Sequence, residues 1–500
     1  MNLAAQRFVR TVRALAATAL AWMLAACTTV NPPLNEFSED NVNAYAASAG
    51  VPDGAESDDS IFVGLAFSGG GTRAAAFAHG LLLELAATPL PGAGSQSVLS
   101  KVRFVSGVSG GSVTAAYYGL KGRAALDDFR ERFLVRDAEA YMRTAVVRPT
   151  NLLRAVGGGV NDRSGFARWL DENLFNGATF AGFKRDPRLT VWINATDVYN
   201  QTPFIFDRET FRALCSDIDK LPLAEAVGAS AAVPVVFAPV VLENYGKRCS
   251  FHEPAWMTTA AFNPEATASL RAYANALRTY RDPDRMKYVK LLDGGITDNF
   301  GVTGLAIARA ASQTEYGPLS AQEAVRLKRL LFLVANAGRQ YNGDWANEVA
   351  GPSGLELMMA LADTATAAST RQGFDAFRLS VTQWHEDLVK YRCSLSRGEV
   401  KRLRGTLTGW DCRDVKLFLG EIRFDQLDSA SQARLNVVPT RLKLSTANVD
   451  LTIAAGREAT RRNPGFNGFL RSIEGFSAAG RKRMAATPPA GAKPLVPVTE

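Results

Sequence analysis

The chain has 500 residues, 47% of them hydrophobic, with 57 Lys and Arg against 49 Asp and Glu for a formal charge of +8. That apolar content can bury a large core, and the length permits two or three domains. No Lys/Arg run interleaved with aromatics marks a nucleic-acid groove, and no C-x-x-C marks a zinc or redox site.

Residues 1–26 read as a signal peptide. Arg7, Arg10 and Arg13 precede an apolar run, Ala14 to Leu24, that is too short to cross a bilayer. The run ends Leu24-Ala25-Ala26-Cys27, which resembles the lipobox of bacterial lipoproteins. The resemblance implies cleavage before Cys27, acylation of Cys27 and a lipid anchor in the bacterial cell envelope. Two or more acyl chains would hold it there stably. Thr28 after the cysteine favours the outer membrane, by likeness to Gram-negative sorting patterns. The competing reading is an ordinary small-residue cleavage site. Residues 27–60, rich in Pro, Asn, Ser and acid, read as a tether between anchor and folded body.

From Ile61 onward strand-like and helix-like stretches alternate. Phe62–Phe67 is a buried-strand run followed by Ser68-Gly69-Gly70-Gly71-Thr72-Arg73 and a helix-like AAAFAHGLLLELAAT. Consecutive glycines there expose N–H groups beside the positive end of a helix dipole, a site for an anion such as an ester's tetrahedral oxyanion. Gly69-x-Gly71-x-x-Ala74 also fits a dinucleotide fingerprint, but residues 89–101 lack the carboxylate that reading needs. Next, Val102–Val105 leads into Gly107-Val108-Ser109-Gly110-Gly111 and a helix-like stretch, Val113 to Leu120. Strand, G-x-S-x-G turn and helix in that order form the setting of a nucleophile elbow, whose flanking positions Gly107 and Gly111 favour glycine.

Further strands are expected at Leu189–Asn194, Pro203–Phe206, Tyr288–Leu292 and Leu330–Val334, with Val415–Ile422 joining the sheet or forming an appended subdomain. Helices of 10–18 residues fit between most of them, which argues a parallel sheet covered on both faces. The Tyr288 strand ends in Asp293-Gly294-Gly295, placing a carboxylate at a strand end, where it can reach a shared crevice. Asp298 is better placed than Asp293 to cap the following helix, Val302 to Ala311. Two stretches, residues 138–183 with Arg143, Arg148, Arg154, Arg163 and Arg168, and residues 255–288, read equally as a lid or as an extra helical layer. The folded domain is expected over 61–475, with core motifs in 61–340 and an extension in 341–475. Residues 476–500, rich in proline, are expected to be disordered.

Together the glycine loop, the elbow and the Asp-Gly-Gly block resemble the patatin-like phospholipases. A fourth block, Ala229-Ser230-Ala231-Ala232-Val233-Pro234, matches that family's Ala-Ser-x-Ala-x-Pro segment, and Asp298-Asn299-x-Gly301 resembles the tail of its aspartate motif. Ala74 departs from the glycine the family often carries after the loop arginine. The resemblance implies a three-layer α/β/α fold with a mostly parallel central sheet. It also implies a serine hydrolase acting on phospholipid or other acyl esters without a metal or other cofactor, which the lipobox resemblance would anchor to the membrane. Ser109 would be the nucleophile and Asp293 its base, with Gly294 and Gly295 shaping the aspartate loop. In the oxyanion-hole set Gly69, Gly70, Gly71 and Arg73, the glycine N–H groups would hold the oxyanion, and Arg73 would brace that loop or meet substrate charge.

Histidine is scarce: His79, His252 and His385 are the full set. His79 lies on an apolar helix face and His252 in a loop. His385 is the rival base, because Ser109…Asp293…His385 is the chain order of α/β-hydrolase triads. A non-catalytic envelope protein that binds lipid is the rival from another class. Cys215, Cys249, Cys393 and Cys412 allow three disulfide connectivities. Local pairing, Cys215–Cys249 and Cys393–Cys412, is the simplest, and free buried thiols are the alternative.

Overall fold

The computed structural model describes residues 29–39, 60–91, 96–144, 148–338, 344–347, 349–352 and 354–473. Residues 1–26, read as a signal peptide, Cys27 and residues 476–500 lie outside the described residues.

Eight strands form one sheet: β1 (Ile61–Phe67), β2 (Val102–Val108), β3 (Thr190–Asp197), β4 (Thr202–Ile205), β5 (Val240–Glu243), β6 (Tyr288–Asp293), β7 (Arg329–Asn336) and β8 (Lys416–Arg423). Their order is β5-β6-β3-β2-β1-β7-β8, with β4 also paired to β3. The run from β3 through β8 is parallel, whereas β4, β5 and β6 join antiparallel. Strands β1 and β7 are apolar along nearly their whole length because both faces are covered by helices. Only β5 was not expected from the sequence.

The antiparallel strands create the site. Strand β2 pairs with β3 up to Asn194, and β6 pairs with β3 from Ala195 to Asp197. Strand β4 occupies the opposite edge of β3 from Asn194 to Asp197. Thus β2 and β6 share one edge of β3 and run toward each other, so the residue after β2, Ser109, meets the last residue of β6, Asp293.

On one face pack α1 (Gly71–Ala87), α2 (Gly110–Lys121) and α3 (Leu223–Ser230), with α4 (Ala268–Thr279) outside β4. On the other lie α5 (Thr303–Ala311) and α6 (Gly354–Ser394), whose Phe377, Val381, Trp384 and Leu388 cover Leu330, Phe332 and Val334 of β7. Helix α7 (Thr446–Arg462) closes over α1, and β8 extends the sheet, so the 341–475 extension belongs to the same core. Both undecided stretches form helical layers: Phe166, Trp169, Leu170 and Leu174 of one, and Leu270, Tyr273 and Leu277 of the other, are buried in the main core. Of the stretch read as a tether, residues 29–39 lie along the edge of β5. Leu34 N–H donates to Val241, and the Asn35 amide exchanges hydrogen bonds with the Glu243 backbone. They cover an edge that would otherwise be open. The disulfides are Cys215–Cys249 and Cys393–Cys412.

The α1–α7 contact is close because glycine faces backbone on both helices. A Cβ at Gly80 would lie 2.3 Å from the Ile453 carbonyl oxygen, and one at Gly456 would lie 2.2 Å from that of Phe77. Gly456→Val is therefore expected to destabilise the protein by roughly 1–3 kcal/mol or more through overpacking, read as a lower urea midpoint with little change in slope.

Candidate active site

Ser109 occupies a backbone conformation that side chains rarely adopt, φ 51° and ψ −123°, between β2 and α2. Strain of this kind persists only where surroundings impose it. Here the Ser109 N–H donates to the Ser230 hydroxyl at 2.8 Å, which in turn donates to the Asn194 carbonyl at 2.6 Å. The Ser109 carbonyl accepts from both the backbone and the hydroxyl of Ser112. Glycine is required next to it, because a Cβ at Gly110 would fall 1.9 Å from the Gly71 carbonyl oxygen. The elbow and the glycine loop are thus in direct backbone contact.

Asp293 is buried beside Ser109 and accepts a hydrogen bond from the Gly295 N–H at 2.8 Å, and the neighbouring Ser109 hydroxyl also favours its ionised form. Its own N–H donates to Ala232, and its carbonyl accepts from the Thr196 hydroxyl. Burial raises its pKa from 3.8 to about 6, while the two donors pull it partly back down. Asp298 takes the capping role: its oxygens accept from the N–H groups of Phe300, Gly301 and Thr303 at the start of α5.

The glycine loop differs from the expected oxyanion hole at Gly69, while Arg73 takes the bracing one of its two expected roles. The Gly69 N–H is already bonded to the carbonyl and side-chain oxygens of Asn299, at 3.2 and 3.1 Å, and so is turned away from a bound oxyanion. Arg73 is 3% exposed, and its guanidinium donates to the carbonyls of Ala337 and Val438. It clamps the loop to the end of β7 and to the 437–443 segment and does not line the hole. Gly70 and Gly71, at φ 134° and 60°, open α1, and their N–H groups meet no acceptor among the described residues. With the N-termini of α1 and α2 converging there, these donors suit a developing anion. Ala74 continues α1 without distortion, its N–H reaching back to the Gly70 carbonyl.

None of the histidines reaches Ser109. His79 packs against Phe129, and burial followed by the Arg130 charge lowers its pKa to about 4. His252 is exposed. His385 bonds the Val415 carbonyl at 3.0 Å, next to the first residue of β8. Because β2, β1, β7 and β8 are parallel, that is the opposite end of the sheet from Ser109. No group of three or more His, Cys, Asp or Glu side chains arranged for a metal occurs among the described residues.

Several supporting residues carried no individual signal in the sequence. Ser230 and Asn299 lie in recognised blocks, but their roles appear only in space. Arg441 lies outside every block, yet its carbonyl accepts from Thr72 N–H at 2.8 Å. Asn194 ties β3 to β2 through the Ser106 hydroxyl and the Gly107 carbonyl.

Residues 65–306 match the family model described as patatin-like phospholipase. Comparison with curated proteins returns no match. Among solved structures, the chain is similar to human GIVD cytosolic phospholipase A2 at 13% identity and a TM-score of 0.36, covering 89% of this chain and 66% of that one. The same human protein with methyl gamma-linolenyl fluorophosphonate and terbium chloride gives 13%, 0.37, 89% and 63%. With the fluorophosphonate alone the values are 13%, 0.34, 93% and 64%. The chain spans just under two thirds of the length of these structures.

The raised Asp293 pKa has a consequence for stability. The folded state holds this proton more tightly than the unfolded state, so stability falls as pH rises from about 4 to about 6 and does not recover above. Asp293→Asn is expected to stabilise the fold by roughly 1–3 kcal/mol at pH 7.5, with the advantage vanishing near pH 4. Urea denaturation of both proteins at the two pH values checks it.

Proposed function

Since residues 65–306 constitute a patatin-like phospholipase domain, we propose that this protein hydrolyses acyl esters of phospholipids or related lipids through a Ser109–Asp293 dyad. The observation that carries the reading is the meeting of Ser109 with the buried Asp293 carboxylate where β2 and β6 end, with His385 at the far end of the sheet. Ser109 Oγ attacks the ester carbonyl while its proton passes to Asp293. Negative charge gathers on the carbonyl oxygen in front of the Gly70 and Gly71 N–H groups. As the tetrahedral species collapses, Asp293 returns the proton to the departing alcohol and leaves an acyl group on Ser109. Water, deprotonated by the same carboxylate, then attacks the acyl-enzyme and releases the fatty acid.

Ser109→Ala is expected to abolish hydrolysis of short-chain acyl esters without lowering the folded fraction. His385→Ala should leave turnover within about twofold of wild type, because it touches neither the nucleophile nor its base. Activity should rise with pH through an apparent pKa near 6, since only ionised Asp293 accepts the proton. Turnover by Ser109→Ala at the wild-type rate would exclude the mechanism, and a His385→Ala loss matching that of Ser109→Ala would favour the triad.

The lipobox-like Leu24-Ala25-Ala26-Cys27 supports a protein anchored by acylated Cys27 in the bacterial envelope, at the outer membrane. Cys27→Ala should abolish labelling by a fatty-acid analogue during growth. Labelling that persists would place the acyl group elsewhere.

A further inference from the structure

We propose that the catalytic end of the sheet is a bilayer-docking face, built from the first turns of α6 and from the point where residues 29–39 enter the fold. This rests on the lipid-hydrolase reading of the site and adds how that site is brought to its substrate.

Helix α6 runs the length of the sheet and continues beyond it. Near its C-terminal end, Arg392 donates to the carbonyls of Ala324 and Cys412, before β7 and β8 begin. At its middle, the Ser369 hydroxyl donates to the Gly295 carbonyl and the Thr370 hydroxyl accepts from the Asn299 amide, level with the aspartate loop. Residues Gly354 to Thr366 therefore project about 18 Å past the catalytic end at 1.5 Å per residue. On that projection Leu357, Met358 and Leu361 are 47%, 55% and 62% exposed. Their spacing of three and four residues puts them on adjoining parts of one helix surface. A contiguous apolar patch on a helix that leaves its own core marks a surface meant to be covered.

The occupant is indicated by the other end of the chain. Asn31 donates to the carbonyls of Ala238 and Pro239, Leu34 pairs with Val241 and Asn35 with Glu243, so residues 31–35 run alongside β5 in its own direction. Strand β5 begins opposite Leu291, near the Asp293 end of β6. Thr29 therefore lies at the catalytic end, about two strand spacings (~10 Å) from β6. Cys27 is two residues further, at most about 7 Å of chain. An acyl group on Cys27 would then be tethered to Thr29 by no more than that length of chain. Thr29 accepts from Arg154, and residues 140–170 carry five arginines against one acid, Asp162, although Arg163 and Arg168 pair with Glu225 and Glu172. Cations around an anchor point suit anionic lipid headgroups. Apolar projection, anchor exit and arginines thus all belong to the end that carries Ser109 and Asp293.

The test uses the full-length acylated protein reconstituted on vesicles of phosphatidylethanolamine with a minority of phosphatidylglycerol. Tryptophan emission of a Leu361→Trp variant should shift to the blue and be quenched by lipids brominated on their acyl chains. Leu379→Trp, lower on α6, should stay accessible to aqueous iodide. Replacing Leu357, Met358 and Leu361 together with Glu should lower vesicle phospholipid hydrolysis about tenfold or more while short-chain ester hydrolysis stays at the wild-type rate, which also reports folding. Equal iodide access of Leu361→Trp with and without vesicles would overturn the proposal. So would a blue shift without quenching by brominated lipid, because a second copy of the chain would then be covering the helix. Fluorescence reads docking without chemistry. A protein that inserts this helix but hydrolyses no ester would therefore sink the hydrolase reading and leave the docking face standing.

Discussion

Strands β2 and β6 approach each other head to head along one edge of β3, and the catalytic geometry depends on that meeting. A purely parallel sheet would bring strand ends side by side, about 4.8 Å apart, with their side chains projecting to the two faces. The opposed pair instead aims Ser109 and Asp293 at the same point from opposite directions. Two residues hold the junction together: Ser230 bridges the Ser109 N–H to the Asn194 carbonyl, and Thr196 fixes the Asp293 carbonyl. The elbow keeps its strained backbone because these bonds and the Gly110–Gly71 contact leave no room to relax.

Burial sets the chemistry at this junction. An exposed aspartate near its ordinary pKa would be a weak base for a serine hydroxyl. Removing Asp293 from water raises its proton affinity, and the hydrogen bond from the Gly295 N–H pulls it partly back toward the ionised form. The same burial costs folding free energy above pH 6, which the large core around α1 and α7 offsets. Activity and stability are in opposition at this one side chain, a common condition of catalytic groups.

The C-terminal quarter of the chain, outside the family match, is nonetheless part of the site's support. Arg73 ties the glycine loop to Val438, Thr72 to Arg441, and Arg441 to Glu139. These contacts make the orientation of the Gly70 and Gly71 N–H groups depend on segments some 70 and 370 residues away in sequence. Helix α6 likewise braces the aspartate loop through Ser369 and Thr370 before leaving the body.

Much of this was legible in the residues themselves. Glycine clusters at 69–71 and 107–111 mark backbone that needs positive φ or close approach, and apolar runs mark buried strands, because both are local demands on a short segment. The paired cysteines and the capping Asp298 are legible for the same reason. What the tertiary structure decided are matters of distance between remote residues. It chose Asp293 over His385 as the neighbour of Ser109, turned the Gly69 N–H away to Asn299, and gave Arg73 the bracing role over contact with substrate charge. It also gave Arg441 a structural role and laid residues 29–39 against β5. Sequence pattern records what each segment requires of its own backbone and burial. Which segments face one another is set by strand order and direction, and no local pattern encodes that a strand such as β6 enters antiparallel.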